Sequence, residues 1–253
     1  MTQRTLRITL EYDGTRYAGW QVQPGQRTVQ AEVEAALATL LRHPVRVRVA
    51  GRTDAGVHAL AQVCTVRTGE PLATDRVLRG LNGILPKDVA AVEVAEAPPA
   101  FDPRFGATGK HYRYRILARR ARSAVDRARC WHVWDPLDPG RMEQALAPLV
   151  GTHDFSAFRA ADCPNKDPVK ELRVAALREA PGSMIEIDLV GSGFLKQMVR
   201  IVVGTVVEVG RGAREPGEIE AILSGKDRTR AGRTAPPQGL FLVQVMYGED
   251  EAG

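Results

Sequence analysis

The chain has 253 residues, 44% hydrophobic and 26% charged, with 35 Lys and Arg against 30 Asp and Glu. That composition excludes a disordered or fibrous chain, and the length admits one large domain or two small ones with a core of their own. The start shows no apolar block of signal-peptide length, and the longest apolar stretch, Ile201 to Val207, stops at Glu208, well short of the ~18 residues a membrane helix needs. Cys64, Cys130 and Cys163 are scattered and form neither a disulfide framework nor a metal-ligand spacing, so a soluble, cytoplasmic protein without metal is expected.

In chain order, Arg4 to Tyr12 alternates in part and predicts a strand. Thr28 to Arg42 predicts a helix: Thr28 is its cap, and Val29, Val33, Leu37, Leu40 and Leu41 share one face. Val45 to Ala50 alternates strictly, and Leu60 to Arg67 is a further strand. Thr74 to Leu85 reads as a second helix and Val89 to Ala95 as the next strand. The second half repeats the pattern with a strand over His111 to Leu117 and a helix over Pro139 to Leu149 capped by Asp138. Paired strands follow over Glu171 to Arg178 and Met184 to Val190, around Pro181-Gly182. A helix over Phe194 to Val209, a short helix over Glu215 to Leu223 and a final strand over Leu240 to Tyr247 complete it. The fold class expected is α+β: two ferredoxin-like β-α-β-β-α-β halves with predominantly antiparallel sheets joined side by side and helices on one face. The Pro-rich stretch Pro98 to Phe105 sets the domains at 1–105 and 106–253.

Charge is uneven. Phe101 to Cys130 holds nine basic residues against Asp102 and Asp126, or +7, which leaves −2 for the rest of the chain. Most are arginine, with Tyr112 and Tyr114 interleaved, which is the footprint of nucleic-acid binding; a solvated surface is the open alternative. Gly51 to His58 (GRTDAGVH) lies between two predicted strands. An Asp presented there serves as nucleophile or base with Arg52 nearby for a phosphate, or simply makes a turn. Glu11-Tyr12-Asp13-Gly14-Thr15 has Glu where an aspartyl-phosphate loop needs Asp, so it reads as a turn. Gly191-Ser192-Gly193 lacks a nucleotide-binding spacing and is also read as a turn. Arg200 lies among apolar neighbours, where a guanidinium needs an anionic partner; a structural salt bridge and a site arginine are both open. The five histidines show no triad or ligand spacing, and Trp20, Trp131 and Trp134 read as core or rim.

Six segments together resemble one family. EYDGTRYAGWQ at the start, GRTDAGVHA at Gly51 to Ala59, KHYRYRI at Lys110 to Ile116, GTHDFSAFR at Gly151 to Arg159, FLKQMVRIVVG at Phe194 to Gly204 and TAPPQGLFLV at Thr234 to Val243 are similar to the motifs of the bacterial tRNA pseudouridine synthase A family. The resemblance implies an isomerase that turns uridines at positions 38, 39 and 40 of the tRNA anticodon arm into pseudouridine, breaking the N-glycosidic bond and rejoining the base through carbon. It implies Asp54 as catalytic aspartate, Arg200 as its basic partner, and Tyr112 as the ring against the target base. It further implies Leu240 as pocket lining and Arg52 as the side chain filling the space a flipped base leaves. Lys110 and Arg113 are taken as further tRNA contacts. No cofactor is implied; the partners implied are tRNA and a second copy of the chain, with tRNA across both subunits. Flipping costs a few kcal/mol, of which a stacking ring returns ~1–3. Two other readings are weighed. A non-catalytic tRNA-binding protein of the same fold has no need of Asp54. An aspartate-dependent hydrolase needs Mg²⁺ as a phosphatase or a second carboxylate as a glycosidase, and the Asp54 loop holds no such carboxylate.

Overall fold

The computed structural model describes residues 3–248. The chain divides into two compact units, one running to Thr108 and resuming at Phe241, the other Gly109–Leu240. In the first unit, β1 (Arg4–Tyr12), α1 (Val29–Leu41), β2 (Arg48–Val49), β3 (His58–Thr68), α2 (Thr74–Ile84) and β4 (Val89–Ala97) follow the expected β-α-β-β-α-β order. β1 lies between β4 and β3 and β2 lies on β3, every pairing antiparallel, the arrangement of a ferredoxin-like sheet. Leu6, Ile8 and Leu10 of β1 are fully buried, as are Val33, Leu37 and Leu41 of α1 and Val77 and Leu81 of α2. The alternation of a strand and the 3.6-residue period of two helices thus deliver one core.

Two details depart from the sequence reading. β2 is two residues rather than Val45 to Ala50, because the Val47 amide donates to Glu34 Oε1 of α1 at 3.1 Å and not to a strand. The last strand, β10 (Leu240–Tyr247), was expected in the second domain. From Phe241 on it belongs to the first unit, where Phe241 and Leu242 pair in parallel with His58 and Ala59 of β3. The Phe241 ring stacks on His58 at 4.6 Å, and the Tyr247 hydroxyl donates to the Pro103 carbonyl at 2.9 Å.

The second unit contains β5 (Ala107–Ala118), β6 (Trp131–Val133), α3 (Pro139–Leu146), β7 (Gly151–Asp154), β8 (Val169–Ala180), β9 (Met184–Gly191), α4 (Met198–Gly210) and α5 (Glu218–Gly225). β9 pairs antiparallel with both β5 and β8, and β7 extends β8 at its outer edge. β6 and β7 are too short for a periodicity to announce them. Asp138 caps α3 as read, accepting from the Arg141 amide at 3.0 Å. α4 starts four residues later than the apolar pattern suggested, because Gln197 takes φ +61 and Phe194 leaves the helical path to set its ring edge-on to Tyr112 at 4.9 Å.

One face of α4 is tied to the segment Gly232–Ala235. Arg200 Nε donates to the Ala235 carbonyl at 2.8 Å, the Ala235 amide returns a bond to the Arg200 carbonyl at 2.9 Å, and the Gly232 amide donates to Thr205 Oγ1 at 2.9 Å. Gly204 lies between these ties, where an added Cβ would stand 1.8 Å from the Arg233 carbonyl oxygen. In an open helix Gly204→Ala would gain about 1 kcal/mol. Here backbone must move, and the substitution is expected to cost about 1–3 kcal/mol. Urea unfolding checks this; a stabilised variant would show that the segment does not press on the helix.

Candidate active site

The first unit presents the loop Gly51–Val57 between β2 and β3. The Val57 amide donates to the Asp54 carbonyl at 3.1 Å, closing a turn in which Gly56 takes φ +77. Within it Thr53 is buried, Asp54 half-buried and Arg52 exposed. Two buried groups of the neighbouring strands, Tyr12 of β1 and Gln62 of β3, hold its first half. Thr53 Oγ1 lies 2.8 Å from the Tyr12 hydroxyl, and Gln62 Nε2 donates to the Gly51 carbonyl at 2.8 Å and to the Tyr12 hydroxyl at 3.3 Å. Burial pushes the Tyr12 phenol up to about 12 against the opposing effect of those hydrogen bonds, so it stays neutral at working pH.

A strap from Asp13 to Thr28 fixes the second half. The Trp20 amide donates to the Thr53 carbonyl at 3.0 Å and the Gly56 amide to the Tyr17 carbonyl at 3.2 Å, bracketing Asp54 on either side. Backbone can come this close only where side chains are missing. A Cβ on Gly14 would lie 2.0 Å from the Val57 oxygen, and one on Gly19 would lie 2.7 Å from the Thr53 oxygen, with Gly19 already at φ +99. The strap is itself clamped: Arg27 reaches Asp88 through Nη1 at 2.9 Å and Nη2 at 3.1 Å, and the Tyr17 hydroxyl donates to Asp88 at 2.6 Å. Burial alone would raise the Asp88 carboxyl; the bonds from Arg27 and Tyr17 outweigh it and hold it below the usual carboxylate value.

The second unit sorts its functional candidates by strand alternation. Along β5, Lys110, Tyr112, Tyr114 and Ile116 share one face, on which Tyr112, Tyr114 and Ile116 pair with Leu189, Ile187 and Ile185 of β9. His111, Arg113 and Arg115 take the other face, opposite Asp188 and Glu186. Arg113 Nε bonds Asp188 at 2.9 Å, Arg115 Nε lies 3.3 Å from Glu186, His111 Nε2 is 2.5 Å from Asp188, and Arg178 of β8 also pairs with Glu186. Tyr112 is buried against Phe194, and Tyr114 donates its hydroxyl to the Pro236 carbonyl at 2.6 Å. Arg200 stands in the first turn of α4 with the tie to Ala235, and Leu240 is buried at the start of β10, just after Gly239 packs flat on the Tyr114 ring.

The family model described as tRNA pseudouridine synthase matches residues 8–106 and 145–248. The chain is 49% identical to tRNA pseudouridine synthase A of Myxococcus xanthus over 96% of this chain and 91% of that one. It is 47% and 46% identical to the proteins of the same name from Geotalea uraniireducens (strain Rf4) and Geobacter sulfurreducens, over 96% of this chain and 100% of each. The chain belongs to the tRNA pseudouridine synthase family. It is therefore an isomerase acting on tRNA, and the α+β reading drawn from the sequence holds. Among the described residues no helix is long and apolar enough to cross a membrane, and no group of three or more His, Cys, Asp or Glu could hold a metal ion.

Within this synthase the structure distributes the expected site residues over both units: Arg52 and Asp54 in the first, Lys110, Tyr112, Arg113, Arg200 and Leu240 in the second. Lys110 shares the Tyr112 face of β5; Arg113 does not, and its guanidinium is engaged by carboxylates. The residues that sequence reasoning missed are those behind the loop: Tyr12, Gly14, Gly19, Trp20 and Gln62. The signal was there in EYDGTRYAGW, where two glycines alternate with three aromatics, but it showed only as a motif without a task.

Two outcomes are expected. Gly19→Ala should lower the rate of pseudouridine formation at least ~10-fold by displacing the Asp54 loop, whereas Gly25→Ala, at φ +70 with nothing within 4 Å of its Cβ, should carry only backbone strain of ~1 kcal/mol. Equal losses in a rate assay on tRNA transcript would show that strain and not contact matters. Because the folded Asp88 carboxyl lies below its unfolded value, its contribution is complete above the ordinary carboxylate pKa of ~3.9 and is lost as pH falls through the depressed one. Thermal melts should therefore fall more steeply on acidification for wild type than for Asp88→Asn; parallel curves would remove the clamp from the account.

Proposed function

We propose that this synthase isomerises uridines at positions 38, 39 and 40 of the tRNA anticodon arm, as a cytoplasmic homodimer with tRNA lying across both subunits. Asp54 is the catalytic carboxylate and Arg200 its cationic partner. Tyr112 packs on the target base, Leu240 lines the base pocket, and Arg52 fills the space vacated in the stem. Lys110 and Arg113 contact tRNA, Arg113 exchanging a carboxylate for a phosphate. The observation that carries the assignment of Asp54 is its cradle. A half-buried carboxylate sits on a loop whose backbone is held from both sides by the Trp20 amide and the Tyr17 carbonyl, and from behind by Tyr12 and Gln62. A turn that served only to reverse the chain would not need two close glycine approaches. The six motifs shared with the family support the other roles.

The chemistry fits these groups. The N-glycosidic bond breaks, the uracil turns, and a carbon–carbon bond to the ribose forms; a ring proton leaves the carbon and one is gained by the nitrogen. The product is an isomer of the substrate, so neither oxidant nor water is consumed. A carboxylate held in place before reaction spends nothing on reorganisation, and a flat ring beside the base recovers stacking lost on flipping.

Asp54→Asn is expected to abolish pseudouridine, mapped by carbodiimide labelling and primer extension on an unmodified tRNA transcript in chelator, with tRNA affinity within a few-fold of wild type. Primer-extension stops outside the anticodon arm would overturn the site specificity, and an active Asp54→Asn would overturn the catalytic role. In the same assay Tyr112→Phe should keep most activity and Tyr112→Ala lose much more; equal losses would shift the role from ring to hydroxyl.

A further inference from the structure

The +7 segment that suggested nucleic acid divides, once folded, into two parts with different fates. On β5, His111, Arg113 and Arg115 face Asp188 and Glu186. The part that follows, Arg119 to Trp134, is arranged differently. It carries Arg119, Arg120, Arg122, Arg127 and Arg129, all exposed, against one acid, Asp126, which is turned toward Arg115 at 3.4 Å. Among the described residues Arg120 and Arg122 make no hydrogen bond or ion pair, and Arg119 and Arg127 donate to the loop's own carbonyls, Ala121 at 2.9 Å and Ala124 at 2.7 Å.

This is not a loose charged run. The Asp126 amide donates to Ser123 Oγ at 2.8 Å, the Arg129 amide to the Asp126 carbonyl at 2.8 Å, and His132 Nε2 lies 2.7 Å from the Arg119 carbonyl. Cys130 anchors the loop in a small core with Leu117 and Met184. The shaped loop borders a cavity of about 410 Å³ whose lining includes Arg122, Arg127, Ser123, Trp131, His132 and Gln238, and contains no acidic residue. At its rim His132 meets Trp134, ring to ring at 6.2 Å, and Trp134 is 63% exposed. Guanidinium forks suit phosphate oxygens, and an exposed indole beside them offers a face to a base. An acidic peptide would engage the arginines but leave the indole idle.

We propose that the Arg119–Trp134 loop and its cavity form a tRNA-binding site of their own, taking a backbone phosphate on Arg122 and Arg127 and an unpaired base on Trp134. None of the residues assigned to the isomerisation belongs to it. The inference rests on the reading of the chain as a tRNA enzyme.

The test uses the full chain, an unmodified tRNA transcript, and filter binding from about 50 to about 300 mM KCl. The double variant Arg122→Ala, Arg127→Ala should bind at least ~10-fold more weakly at ~100 mM KCl, with the slope of log affinity against log salt shallower by about two. Arg122→Lys with Arg127→Lys should keep the slope. Trp134→Ala should lose several-fold in affinity with the slope unchanged. Arg120→Glu, a change at an exposed position, guards against a folding defect in the double variant and should also weaken binding. Wild-type affinity and slope in all of these, with melting temperatures unchanged, would overturn the proposal even if some acidic protein bound the loop. Wild type that makes pseudouridine while the variants bind normally would sink this inference alone. Variants that lose affinity while wild type makes no pseudouridine would sink the synthase reading alone.

Discussion

The bond from the Trp20 amide to the Thr53 carbonyl exists because residue 19 has no side chain, and the position of Asp54 depends on it. A carboxylate on a free loop would sample many orientations, and each immobilised residue costs on the order of 1–2 kcal/mol of backbone entropy. In this chain that cost is met during folding, by backbone-to-backbone bonds on both flanks of the aspartate and by a buried tyrosine and glutamine beneath it. The Asp88 clamp on Arg27 and Tyr17 then keeps the strap from peeling away. Precision at one carboxylate thus draws on residues spread over nearly the first ninety of the sequence, from Tyr12 to Asp88.

In the second unit the comparable constraint is the two-residue period of β5. One strand feeds an apolar face with Tyr112, Tyr114 and Ile116 and a charged face with His111, Arg113 and Arg115. Glu186 and Asp188 neutralise the charged face, so a buried guanidinium is never left alone. Among the described residues of the following loop, Arg120 and Arg122 are exposed and engage no carboxylate.

How much of this was legible in the sequence varied with the physics. β1, α1 and α2 were readable because the hydrophobic period picks out the residues that are fully buried, such as Ile8, Leu37 and Leu81, and β10 because its run of apolar residues is long enough to mark a strand. Val45 to Ala50 alternates just as well, yet forms only a two-residue strand, because a side chain of α1 takes the backbone amide that a strand partner would need. Phe194 is apolar and in register with the helix behind it, yet leaves the helix for Tyr112. Both departures are tertiary bonds that no window of sequence contains. The Asp54 loop was visible as an unusual motif, but the reason for its glycine-rich partner, Gly14 to Trp20, lies forty residues away in sequence. The charge run was visible as a sum; which arginines are free is a matter of strand register. The placement of β10 with the first unit was the least accessible feature, since nothing local marks a strand as returning to the beginning.

That return orders the birth of the molecule. On the ribosome the first unit is synthesised almost whole, yet the strand that lies along His58 and Ala59 emerges only after the entire second unit has been made. Until then the β3 edge beneath the aspartate loop is open, and His58 lacks the Phe241 ring that covers it. The second unit, by contrast, is continuous and can collapse as soon as its own residues are out. Completion of the support beneath the aspartate loop is thereby conditional on translation of the whole second unit, so that a chain stopped before Phe241 lacks part of that support.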